Sequence, residues 1–313
     1  MGNEINYKIS VIVITYNQEK LIRRALDSVL IQKDWGLYEI IVCDDCSTDH
    51  NWDVIIQYAK QYPEIIKPFK SGHNLGIFGN LESTWRRPLG DLIIYLAGDD
   101  EICNGLFEKV YQFVKKEKLN VIKGSFCIYT DSKIILSNGK EKLRSNRLIS
   151  KGYDAVSLKI RGLVGSSRGI FYSKELISRF KSPNKNIGIY TDGLYDIQVQ
   201  LYSDRNYYIN FVGGIYYAGI GVSSKTSFKD HQESILLFYN EIENDIVYNL
   251  NKKDRYYILF KKEYINFYNS PNLNSYIKML NFYLKSLVPQ YGISIREMIE
   301  IFIFIFIRLI IYK

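Results

Sequence analysis

Glu39-Ile40-Ile41-Val42-Cys43-Asp44-Asp45-Cys46-Ser47-Thr48-Asp49 and Leu92-Ile93-Ile94-Tyr95-Leu96-Ala97-Gly98-Asp99-Asp100-Glu101 decide how this chain is read. Each begins as an apolar, β-branched run and ends directly in carboxylates. Carboxylates at the carboxyl ends of buried strands stand where open α/β sheets bind their ligands. One such run is accounted for by a turn and a helix cap. Two of them, with helix-like sequence between, point to a site for a nucleotide and a divalent metal.

The flanking segments repeat the alternation. Lys8–Thr15 is a β-branched run suited to a strand buried on both faces. Leu21, Ile22, Ala25, Leu26, Val29 and Leu30 recur at helical spacing, as do Val54, Ile55, Tyr58, Ala59 and Tyr62. A short strand is expected near Ile65–Phe69, and Ser71–Gly76 reads as a loop leading to a helix over Gly79–Trp85. Strand and helix thus alternate four times before Glu101, which predicts a parallel sheet with helices on both faces. Beyond it come a helix near Leu106–Lys116, a strand in Val121–Thr130, and a hairpin turning at Asn138-Gly139. Gly169–Tyr172 and Tyr207–Val212 read as further strands. From about Ser227 the chain becomes Tyr-, Lys- and Ile-rich with helical patterns, and a boundary is placed there.

Composition narrows the class. With 313 residues, 47% of them hydrophobic, the chain can bury a substantial core. Cys43 and Cys46 have redox or zinc-knuckle spacing, but no second pair or histidine cluster completes four ligands. The amino terminus reaches a strand within about ten residues and shows no signal peptide, so a cytoplasmic location is expected. Charge is uneven: residues 251–313 hold ten Lys/Arg against four acids, +6 of the chain's +8. No recognition motif accompanies that charge, so nucleic acid is not expected as a partner. Ile299–Tyr312 is apolar, too short to span a bilayer where about 20 residues are needed, and flanked by Arg296, Arg308 and Lys313. It fits a segment dipping into an anionic leaflet, with a core helix or an oligomer contact as the alternatives.

Ser10-Val11-Ile12-Val13-Ile14-Thr15-Tyr16-Asn17, the run Asp44–Asp49, Asn74-x-Gly76-x-x-x-Asn80, Gly90-Asp91 and Gly98-Asp99-Asp100 together resemble the family 2 glycosyltransferases, in order and in spacing. The resemblance covers roughly residues 8–225. It implies an α/β chain of the GT-A fold, with a mostly parallel, Rossmann-like central sheet flanked by helices and a helical C-terminal extension. It also implies inverting transfer from a nucleotide-diphosphate sugar, most simply a UDP-sugar, with Mn²⁺ or Mg²⁺ as cofactor. The expected division is 1–226 for the transferase domain (1–101 for the nucleotide, 102–226 for the acceptor) and 227–313 for the basic helical region. A lipid-linked glycan of the capsule or O-antigen type is the expected acceptor, with the enzyme at the inner face of the membrane.

A transferase must hold a nucleoside, neutralise a diphosphate and deprotonate an acceptor hydroxyl. Thr15, Tyr16 and Asn17 stand where a base pocket would form, although Asn17 also suits a helix cap. Asp45 is expected at the base or ribose, and Asp44 is expected to orient the loop. Ser47 and Asp49 read as turn and cap residues. Asn74 and Asn80 match positions near the donor, while His73 reads as a surface loop residue. Asp99 is the expected metal ligand, shared with Asp100, because hard oxygen ligands suit Mg²⁺ and Mn²⁺. The family's acid two residues before Asp99 is here Ala97. By resemblance the base is Asp192, with Asp196 one helical turn later as the rival. The small residues around Ser166 are expected beside the donor sugar, and Arg168 suits a phosphate or a structural ion pair. A sugar-nucleotide nucleotidyltransferase is the rival enzyme, but Thr15-Tyr16-Asn17-Gln18-Glu19 is not its Gly-rich loop. A degenerate scaffold is the non-enzyme rival, supported by Ala97 alone.

Overall fold

The computed structural model describes residues 5–164, 168–181, 190–220, 227–244 and 250–287, without the side chains of 191, 192 and 228. Its first half follows the alternation of apolar runs: β1 (Ile9–Thr15), α1 (Ile22–Leu30), β2 (Leu37–Asp44), α2 (Asn51–Gln61), β3 (Ile66–Lys70), α3 (Gly76–Thr84) and β4 (Leu92–Ala97). β1 lies between β2 and β4 and runs parallel to both, with Val11 opposite Ile40 and Ile94. Alternate residues Ile9, Val11 and Val13 join Ile22, Ala25, Leu26 and Val29 of α1 in one core. Each of the isoleucine, valine and leucine side chains contributes about 1.5–3 kcal/mol by leaving water.

The second half comprises β5 (Glu101–Ile102), α4 (Leu106–Lys116), β6 (Phe126–Ile135), β7 (Glu141–Arg144), a 3₁₀ turn (Arg147–Lys151), α5 (Ala155–Ile160), β8 (Phe171–Ser173), α6 (Lys174–Ser178), α7 (Thr191–Tyr202) and β9 (Arg205–Tyr217). The sheet order is β3-β2-β1-β4-β8-β6-β9-β5, with β7 pairing to β6. β8 is antiparallel to both β4 and β6, whereas β9 is parallel to β6. The sheet is therefore parallel across β3 to β4 and mixed beyond. Strand β6 carries an irregularity at Thr130–Asp131. The fully buried Asn146 lies against it, its side-chain amide donating to the Thr130 carbonyl at 2.7 Å and its backbone N–H donating to Asp131 at 2.7 Å.

Two compact units emerge, residues 1–185 with 191–226, and residues 186–190 with 227–313. In the second, α8 (Phe228–Asn244), α9 (Lys252–Asn269) and α10 (Leu273–Ser286) form a helical extension. Asn251 and Asn272 cap α9 and α10, each accepting a backbone N–H at 2.9 Å. Phe260, Phe267, Met279 and Tyr283 form the core between these two helices. Among the described residues no helix is long and apolar enough to cross a membrane. The apolar run Ile299–Tyr312 lies outside the described residues.

Candidate active site

Chain order leaves β1 toward β2 and β3 on one side and toward β4 on the other. This reversal creates a crevice at the carboxyl ends of β1 and β4, the place where doubly wound sheets bind ligands. Thr15, Asp44 and Ala97 close the three strands there. Gly98 lets them come close: a Cβ on it would lie 2.8 Å from Thr15 Oγ1 and 2.5 Å from Gln18 Oε1.

The first acidic loop is stitched by hydrogen bonds. Asp44 is fully buried, and its two oxygens accept the Ser47 N–H at 2.8 Å and the Asn51 amide at 2.6 Å. Asp45 is also buried, and its N–H donates to the Thr15 carbonyl at 2.9 Å, tying β2 to β1. Its carboxylate accepts the Leu75 N–H at 2.8 Å, which draws the loop before α3 over the strand ends. Burial pushes the Asp45 carboxyl above its usual range, opposed by the amides of Leu75 and Gly76. Asn17 adopts φ +51°, a left-handed backbone asparagine tolerates. It crosslinks β1 to the loop: its N–H donates to Ser47 Oγ at 2.9 Å and its Oδ1 accepts the Thr48 N–H at 2.8 Å. Tyr16 is exposed at the crevice rim. Asn74 accepts the Gly76 N–H at 2.9 Å within its own turn, and His73 is exposed beside it. Asn80 is buried under β2, donating to the Cys43 carbonyl at 3.0 Å, and its own Oδ1 has no hydrogen bond among the described residues. Burial pushes the Cys43 thiol up to about 12, which makes it an unreactive core group.

The second acidic loop is held differently. Asp99 is 7% exposed, and its carboxylate has no hydrogen bond or ion pair among the described residues. What fixes it is its main chain: Arg24 of α1 donates to the Asp99 carbonyl at 2.6 Å. Arg24 is itself clamped, with Nε 3.0 Å from Glu101 and its guanidinium 3.7 Å above the Tyr217 ring. The Tyr217 hydroxyl donates to Glu101. Asp100 is fully buried, ion-paired to Arg168, and accepts the Tyr217 N–H at 3.3 Å. Burial raises its carboxyl above the usual range, and Arg168 opposes that rise. Arg168 reaches Asp100 because its segment lies against β9 where only glycine fits; a Cβ on Gly214 would lie 2.8 Å from Arg168 Cβ. The expectation that both carboxylates ligate a metal narrows to Asp99, since Asp100 is taken up by a cation of the protein. Asp99 fits such an ion: a buried, hard oxygen donor with nothing else of the described chain to bind. Arg24 and Tyr217 escaped sequence reasoning because they come from segments far from the acidic run with no local motif; Glu101 ends that run, but sequence reasoning gives it no role.

Helix α7 carries both base candidates. Asp192 lies in its first turn, one turn before Tyr195, whose ring stacks on Trp85 with centroids 4.5 Å apart. Trp85 also packs against Tyr95 of β4 at 5.0 Å and Phe180 at 4.6 Å. This aromatic cluster fixes α7 on the face of the sheet opposite α1. Asp196 is ion-paired to Lys159 of α5. The Asp192 side chain and Ser166 lie outside what is described.

A profile of the family described as Glycosyl transferase family 2 matches residues 10–177. The chain belongs to that family. It spans about a quarter to a half of the length of most of the curated relatives it matches. A fuller match is the cholesterol galactosyltransferase of Borreliella burgdorferi, 26% identical over 84% of this chain and 77% of that protein. Among solved structures, S. aureus TarS 1-349 in complex with UDP is similar with a TM-score of 0.60 at 19% identity, over 88% of this chain and 78% of that one. The Pyrobaculum calidifontis mannosyltransferase PcManGT, in complex with GDP-Man and Mn²⁺, gives 0.54 at 13% identity over 92% and 83%. At these identities the likeness establishes the fold, a GT-A domain with a helical C-terminal extension.

Proposed function

We propose that the chain is an inverting glycosyltransferase that moves a sugar from a nucleotide diphosphate, most simply UDP, to a hydroxyl of a lipid-linked surface glycan. The observation that carries this reading is Asp99, a mostly buried residue at the switch point of the sheet whose carboxylate has no hydrogen bond or ion pair among the described residues. With Arg24 and Arg168 engaged by other groups of the same loop, the open Asp99 carboxylate suits a ligand that brings positive charge. Asp99 would hold a Mn²⁺ or Mg²⁺ ion, which would supply that charge and stabilise the diphosphate as it leaves. Support for a nucleotide-sugar donor comes from the family and from the UDP and GDP-Man complexes of the similar structures.

The remaining roles fall to the chain's own residues. Thr15, Tyr16 and Asn17 line the crevice for the base, and Asp45 accepts a hydrogen bond from the base or ribose. Asp44 keeps that loop in shape, Asn74 and Asn80 support its far side, and Ser166 borders the sugar. Asp192 removes the proton from the acceptor hydroxyl; the pairing of Asp196 with Lys159 favours it over that rival. The basic run toward residue 313 and its apolar tail keep the enzyme on the cytoplasmic face of the membrane. Residues 1–226 constitute the transferase domain and 227–313 the attachment region in this reading.

Nucleotide release tests it. With a UDP-sugar and Mn²⁺, the wild type releases UDP, chelation stops the release, and Asp99→Ala abolishes it. Asp192→Asn keeps donor binding and loses transfer to the acceptor. Metal-independent release that survives Asp99→Ala would sink the proposal and leave the scaffold reading.

A further inference from the structure

The β6–β7 hairpin is the most basic stretch of the transferase unit outside the site. Residues 140–151 contain Lys140, Lys142, Arg144, Arg147 and Lys151 against one acid, Glu141, a net +4 in twelve residues. Glu141 is taken by Lys133 at 2.9 Å. The five cations are exposed, and none has an ion-pair partner among the described residues. Strand β7 is antiparallel to β6, with Ile134 opposite Lys142 and Ser132 opposite Arg144. The ladder continues to Lys140, whose carbonyl accepts the Leu136 N–H at 2.9 Å. Lys140, Lys142 and Arg144 therefore share one face of an edge strand, about 6.8 Å apart. Arg147 and Lys151 follow as exposed cations in the 3₁₀ turn.

The row leads to the candidate active site. On its other side β6 pairs with β9, with Ile134 opposite Tyr216 and Ile135 opposite Tyr217. Tyr217 donates its N–H to Asp100, and the Tyr216 ring lies 4.2 Å beneath the Arg168 guanidinium that pairs with Asp100. Lys142 is thus two strand spacings, about 10 Å, from the residues that hold the second acidic loop.

We infer that this hairpin receives the acceptor, and that the acceptor is a linear anionic glycan whose end passes from β7 across β6 to the crevice. The inference rests on the transferase reading given above. A linear row of evenly spaced cations matches a chain with charge on its repeats. A membrane surface is the poorer fit, because surface binding combines cations with apolar insertion. The one large exposed apolar side chain of the strand, Leu143 at 64%, falls on the opposite face with Lys133 and Glu141.

The test uses the full chain and three probes: fluorescent chondroitin sulfate as a linear anionic glycan, neutral dextran, and phosphatidylglycerol vesicles. Wild type is expected to bind chondroitin sulfate and not dextran, with affinity falling steeply as salt rises. The variant K140Q/K142Q/R144Q should bind about tenfold or more weakly, with a shallower slope of log affinity against log salt, by about 2–3. Bound glycan should also protect Lys140 and Lys142 from acetylation, read by mass spectrometry. Equal binding by wild type and variant, or no binding by wild type, overturns the inference. So does a loss in the variant confined to vesicle binding, which would make the hairpin a membrane contact. Stabilisation by UDP with Mn²⁺ is measured in parallel: its absence in wild type would count against the donor reading, while the glycan arm still reports on the hairpin.

Discussion

The two acidic loops occupy equivalent places at the ends of β2 and β4, yet the protein treats their charges in opposite ways. In the first, each oxygen of Asp44 has a donor, and Asp45 accepts a backbone N–H from the loop before α3. In the second, protein cations hold everything around Asp99 except its carboxylate: Arg24 takes its carbonyl and Arg168 takes Asp100. The first loop is complete without a ligand. The second is built around a charge that the described protein leaves unanswered. Removing a carboxylate should therefore damage the fold in one loop and the chemistry in the other.

The largest effect is expected from Asp99→Ala, which should lower sugar transfer by about a thousandfold or more, the scale on which lost charge stabilisation acts. Its melting temperature should stay near that of wild type, because the Asp99 carboxylate makes no hydrogen bond or ion pair among the described residues that the change would remove. Asp44→Ala should do the reverse. It strands the Ser47 N–H and the Asn51 amide and costs about 3–6 kcal/mol, at 1.5–3 kcal/mol for each hydrogen bond to a charged group. Thermal unfolding checks both; similar melting losses in the two variants would erase the contrast.

A smaller effect separates the clamp from the ligand it positions. Arg24→Lys keeps a positive charge beside Glu101 but loses the planar fork and the stacking on Tyr217. Outer groups that orient a metal ligand are typically worth 10- to 100-fold in metal affinity. Mn²⁺ activation of UDP release should accordingly need about tenfold more metal, with little change at saturating Mn²⁺. An unchanged Mn²⁺ requirement would reduce Arg24 to a surface packing residue.

The same contrast explains what could be read in advance. β1 to β4 were legible because their apolar runs are short, β-branched and bounded by turn residues. The hairpin was legible from Asn138-Gly139, whose turn brings the Gly139 N–H to the Leu136 carbonyl at 2.8 Å. The placing of β8 between β4 and β6, antiparallel to both, was not legible, since pairing partners far apart in sequence leave no periodic trace. For the site, strand-end carboxylates announced Asp44, Asp45, Asp99 and Asp100. The division of labour between Asp99 and Asp100 needed Arg168 and Tyr217, which reach the loop only once β9 is folded against it. Ala97, where the resemblance implies an acid, is half-buried at the end of β4, and its carbonyl accepts the Asp100 N–H at 3.0 Å.

The finest test lies in the titration of the first loop. Burial raises the Asp45 carboxyl, so it takes up a proton at a higher pH than the ordinary value of about 3.9. A protonated Asp45 is a poorer acceptor for the N3–H of a uracil. Uridine, which carries no phosphate to titrate, should lose affinity several-fold as pH falls through that raised value, measured by calorimetric titration. Over the same window the group's effect on stability has the opposite sign. The folded state takes up the proton before the unfolded chain does, so stability from this group increases as pH falls toward the unfolded value. Asp45→Asn should flatten both curves at once. If uridine affinity proves flat in the wild type, Asp45 belongs with Asp44 as a stitch of the loop, and the nucleoside is read by Thr15 to Asn17 alone.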